Sequence, residues 1–96
     1  MNNNMDIIIK RIICNTNKSV SYYLNGGCYV FAKALKSIIG GDILYLINDY
    51  HFVVKIENKL YDASGNVTKK YQSNKYLEEK DFFRRTKLVK EFIICD

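Results

Sequence analysis

Residues 50–64 read YHFVVKIENKLYDAS. Aromatic and β-branched residues fill 50–57, and an apolar and aromatic segment returns after Asn58. A reversal at Glu57-Asn58 makes the stretch a β-hairpin. With a two-residue loop, Ile56 faces Lys59, Val53 faces Asp62 and His51 faces Ser64. Side chains alternate along a strand, so His51, Val53 and Asp62 project from one side and Phe52, Val54 and Ile56 from the other. His51 and Asp62 are then diagonal neighbours, about 7–8 Å apart at the backbone and within reach of each other's side chains.

The chain on either side supplies the partners of this hairpin. Residues 42–48, DILYLIN, read as another strand. Before it, Cys28, Phe31, Ala32, Leu35, Ile38 and Ile39 mark one face of a helix, with Lys33 and Lys36 off that face and Gly40-Gly41 as the stop. Met5, Ile8, Ile9, Ile12 and Ile13 form the buried stripe of an earlier helix, with Ile7 outside it and Asn4 or Asp6 near its start. Residues 19–24 fit a short helical turn. Downstream, 64–75 reads as loop, 76–85 as a segment with a short helix, and 87–95 as a last strand. The expected fold is α+β: one domain, 1–96, with N-terminal helices packed on a small antiparallel sheet.

The composition fits an ordered chain. It is 48% hydrophobic and carries eight tyrosines. No apolar run is long enough to span a bilayer and no charged segment leads into a signal core, which predicts a cytoplasmic protein without a membrane partner. Three cysteines cannot all pair within the chain, and free thiols fit a reducing compartment. The net charge of +5 would suit a nucleic-acid or membrane-surface partner, but the lysine-rich surface that an AT-rich genome encodes is the favoured reading.

Cys28 stands apart from Cys14 and Cys95, which end apolar segments and read as structural. It opens a helix behind Asn25-Gly26-Gly27. Unpaired N–H groups and the dipole at a helix start stabilise a thiolate, and the Cys28 N–H can donate to an oxyanion. The glycines leave room for a substrate beside the sulfur. A thiol nucleophile needs a base, and His51 is the one histidine. A histidine base needs an acceptor on its other nitrogen, and Asp62 shares its face. Taken singly, Cys28 is also a small core residue, His51 a hydrogen-bonded strand residue and Asp62 a cap for the following turn. Together, in this order, they outline a Cys-His-Asp triad. One histidine and scattered cysteines do not make a metal site.

The segments NGGCYVFAKAL, YHFVVKI and LYDASG resemble the core of papain-like and transglutaminase-like thiol enzymes, and most of all the small bacterial and phage-type proteins with this helix-plus-hairpin arrangement. The likeness spans about residues 24–66. It implies Cys28 as nucleophile, His51 as general base and then acid, and Asp62 as the orienting residue. Many such enzymes carry an oxyanion-hole glutamine several residues before the cysteine; this chain has none there, Tyr22 and Asn25 are the nearby options, and Asn25 has the matching chemistry. The implied activity is hydrolysis or acyl transfer at an amide, peptide or ester bond of a protein or peptide-like substrate, without a cofactor. The chain is short for that superfamily. It suits either an open site for a large substrate or a scaffold reused for binding, such as an inhibitor from a phage or other mobile element with a protein target. Lys69, Lys70, Tyr71, Lys75, Tyr76, Arg84, Arg85 and Lys87 interleave cations with aromatics, the pattern of a nucleic-acid or nucleoprotein contact.

Overall fold

The computed structural model describes residues 3–16, 19–25 and 27–86. Three helices lead the chain: α1 (Asn3–Thr16), α2 (Val20–Asn25) and α3 (Cys28–Ile39). Strands β1 (Asp42–Leu46), β2 (His51–Ile56), β3 (Lys59–Asp62) and β4 (Gly65–Asn66) follow. A one-turn helix α4 (Thr68–Tyr71), strand β5 (Tyr76–Glu78) and helix α5 (Glu79–Thr86) complete the described chain. The expected strand over 87–95, Cys95 with it, lies outside the described residues. No described helix is long and apolar enough to cross a membrane.

The architecture is α+β, with N-terminal helices on an antiparallel sheet of order β4-β3-β2-β1-β5. The hairpin has the register its alternation dictates. Val54 pairs with Tyr61, Lys55 with Leu60 and Ile56 with Lys59. Glu57 adopts the left-handed φ of 58° that a primed two-residue turn demands at its first position. At the other end of β2, Tyr50 closes the turn from β1 with φ 51°.

Each face of the sheet carries its own apolar cluster. Phe52, Val54, Ile43, Tyr61 and Ala63 meet Ile9 and Ile12 of α1, Cys28, Tyr29, Phe31, Ala32 and Leu35 of α3, and Phe82 of α5. The Phe52 ring lies 4.8 Å from Tyr29, 4.9 Å from Tyr45 and 5.1 Å from Phe82, between centroids. On the opposite face Leu44, Leu46 and Val53 pack against Val67 and Tyr71. Gly41 permits the close approach of β1 to β2: its φ is 91°, and a Cβ there would sit 2.6 Å from the Lys55 carbonyl oxygen.

Four local expectations are corrected. Ile38 and Ile39 are exposed, because the packed arc of α3 is confined to its first turns and includes Tyr29. The segment read as loop after Ser64 holds β4 and α4, where Val67 and Tyr71, four apart, are both buried. Residues 76–78 are a strand paired with Leu44–Leu46, and the helix starts after it. Cys14, expected in the apolar stripe of α1, is exposed and free.

Candidate functional site

His51 starts β2 opposite Leu46, so its side chain lies on the face of Leu46 and Val53. Asp62 ends β3 on that same face. The two are hydrogen bonded, Nε2 to Oδ2 at 2.9 Å. Among the described residues they are the buried polar or charged ones. The second Asp62 oxygen accepts the Ser64 N–H at 2.8 Å and the Ser64 hydroxyl at 2.5 Å. Orienting a histidine and capping the next turn were competing readings of Asp62. The carboxylate does both, one oxygen for each.

Electrostatics fix the proton positions. Burial acts to raise the Asp62 carboxyl, but the bonds from His51 and Ser64 outweigh it and hold it below its ordinary value. Asp62 is therefore a carboxylate at neutral pH and accepts only, so His51 Nε2 carries the proton and donates. In the neutral ring, Nδ1 keeps its lone pair. That is the tautomer a general base at Nδ1 requires.

The pair opens on a cavity of about 240 Å³ whose walls include Leu24, Asp49, Tyr50, Lys70 and Tyr71. The Tyr71 ring lies 5.9 Å from the imidazole. Lys70 stacks on Tyr71 at 5.1 Å, and its bond to that phenol, with Asp62 and Asp49 nearby, raises its pKa. Asp49, on the same wall, receives a hydrogen bond from the Asn74 amide. In the sequence, Tyr71 and Lys70 show only as part of a cation–aromatic pattern. Ser64 was legible from its place two after Asp62, the spacing of an aspartate-capped turn.

Cys28 is the first residue of α3 and is 2% exposed. It belongs to the cluster between helices and sheet, whereas His51 and Asp62 project from the other face. It is disulfide-bonded, which departs from the expected free thiol. The space beside Gly27 is also taken: a Cβ there would meet the Tyr22 ring at 2.4 Å, so glycine admits an aromatic ring where room for substrate was expected. Asn25 closes α2, and Gly26 lies outside the described residues. The structure thus joins His51 to Asp62 and places Cys28 in the cluster on the other face of the sheet rather than on their cavity. Leu24, four residues ahead of Cys28, lies on the cavity wall.

A family model, Phage YunG-like protein, matches residues 7–93, nearly the whole chain. The chain belongs to that family. No curated protein and no solved structure matches it.

Proposed function

We propose that this phage-type chain is a small thiol-dependent hydrolase or acyltransferase, with the His51–Asp62 pair as its acid–base element and reduced Cys28 as its nucleophile. The observation that carries this reading is the buried Nε2–Oδ2 bond, which leaves Nδ1 as the basic nitrogen at an open cavity. What supports the nucleophile is its place at a helix start, which favours a thiolate, with Leu24, four residues earlier, on the cavity wall.

The reaction requires reduced Cys28 to turn from the helix-side cluster toward the cavity; Nδ1 then takes its proton and the sulfur adds to the carbonyl carbon of an amide or ester. The Cys28 N–H and Asn25 stabilise the oxyanion. The imidazolium, held by Asp62, returns its proton to the departing amine or alkoxide and a thioester remains. Water or an amine then adds with Nδ1 again accepting the proton, and the thiol leaves protonated. The cycle begins only after the Cys28 disulfide is reduced.

The experiment is iodoacetamide labelling under reductant across pH, read by intact mass and peptide mapping. Cys28 is expected to alkylate faster than Cys14 and Cys95 at neutral pH, and to lose that advantage in His51→Ala. Labelling of Cys28 no faster than the other two removes the activated thiol and with it the enzyme reading.

A second reading is favoured by a different observation: the sulfur is buried and already bonded. In this reading the chain is a non-catalytic binding or inhibitor protein, and His51–Asp62 is a structural pair that locks the hairpin. Substituting Cys28 with Ser would then leave target binding intact.

A further inference from the structure

We infer that the face around α4 binds single-stranded nucleic acid. The groove between α4 and the β2–β3 turn, about 650 Å³, is lined by Lys59, Lys69 and Lys70 together with neutral residues, and no carboxylate lines it. Cations gathered in one groove repel one another, and a chain of phosphates relieves that repulsion.

The platform is fixed. The Thr68 hydroxyl at the start of α4 accepts the Leu60 N–H at 2.9 Å and donates to Asn66 at 2.6 Å, and the Val67 N–H bonds the Leu60 carbonyl at 2.8 Å. Lys69 and Lys70 are both exposed on the turn so anchored. Exposed aromatic rings stand on both sides of it. Tyr50, 67% exposed, lines the neighbouring cavity together with Lys70. Tyr76, 49% exposed, lines a third cavity that also borders Tyr71 and Thr68. Lysines between two accessible ring faces suit unpaired bases that stack while their phosphates run along the groove. An acidic protein would use the lysines and leave the rings without a role, and a duplex offers no base faces. This inference stands whether or not Cys28 reacts.

The test is fluorescence anisotropy of a labelled oligothymidylate with the full chain over a salt series, with a duplex of equal length and polyglutamate as comparators. Three phosphate contacts predict a log–log salt slope of about −2 for single strands. Lys69→Glu/Lys70→Glu is expected to lose at least about tenfold in affinity and flatten the slope. Tyr50→Ala and Tyr76→Ala are each expected to weaken binding about fivefold or more at unchanged slope. Lys10→Glu/Lys33→Glu, the same charge change on the helical side, is expected to leave binding near wild type, and circular dichroism checks that every variant is folded. Blank titrations at low salt overturn the inference. So do equal losses from the two charge-reversal pairs, tighter binding of the duplex, or polyglutamate binding as tight as the oligonucleotide with both tyrosine variants silent.

Discussion

Phe52 and Val53 are neighbours in one strand and serve different halves of the molecule. Phe52 faces the helices, inside an aromatic layer built with Tyr29, Tyr45 and Phe82. Val53 faces away, into a smaller aliphatic floor with Leu44 and Leu46. The buried His51–Asp62 pair stands on the Val53 side only. A strand's alternation thus divides the work. The helix-packed side removes large rings from water, and the other side has room for polar groups that a closed aromatic layer would leave without solvent or substrate.

That division can be broken by measurement. The largest effect is expected from Phe52→Ala, which empties the centre of the aromatic layer and should cost about 3–5 kcal/mol in urea unfolding. A loss below the cost at Val53 would reverse the assignment of stability to the helical side. Asp62→Asn comes next, at about 1–3 kcal/mol, because Asn has one acceptor oxygen and no charge where Asp62 uses two oxygens, one for His51 and one for Ser64. Its pH dependence has a definite sign. The Asp62 carboxyl is lowered from its ordinary value of 3.8, with burial opposing and the His51 and Ser64 bonds prevailing. The stabilisation is therefore complete above 3.8 and fades as pH falls through the lowered folded value, so the gap between wild type and Asp62→Asn should close as acid is added below 3.8. A gap that stays constant over that range would mean that Asp62 gains nothing from its ionised form.

Val53→Ala removes two buried carbons from the smaller cluster, and about 1.5 kcal/mol is expected. Its ratio to the Phe52 cost sharpens the contrast between the sides. The least effect is expected from Arg84→Ala on the exposed surface of α5, where the pair with Asp81 is worth about 0.5 kcal/mol or less. A larger thermal shift there would show that charge pairing on α5 helps hold the helical layer together.

The hairpin was legible because alternation and register are the same information: once Glu57-Asn58 is the turn, Asp62 must share the face of His51. The α3 start was legible for a similar reason, the glycine approach before a periodic apolar run. Periodicity says which face of a helix is apolar and not how far its partner extends, so Ile38 and Ile39 looked buried and are not. Tyr29 lies outside the apolar period; its ring packs on Phe52 and Phe83 and its hydroxyl bonds Glu79, partners far away in the chain. Glu79 reaches Tyr29 and Lys36 across the fold, while Asp81 and Arg84 pair locally on α5. The short β4 and α4 carry too few apolar residues to show a period, and their lysines masked the Val67–Tyr71 spacing. The cavity beside His51 draws on four separate segments, and no local pattern announces such a meeting.

The tight turn at Glu57 also governs how the gene can drift. One added codon there would rotate everything after it by half a period, swinging Asp62 into the aromatic layer and Tyr61 out of it. Two added codons would restore the sidedness of both. Insertions that survive at this point should come in pairs, a parity that laboratory selection from a random-insertion library can count.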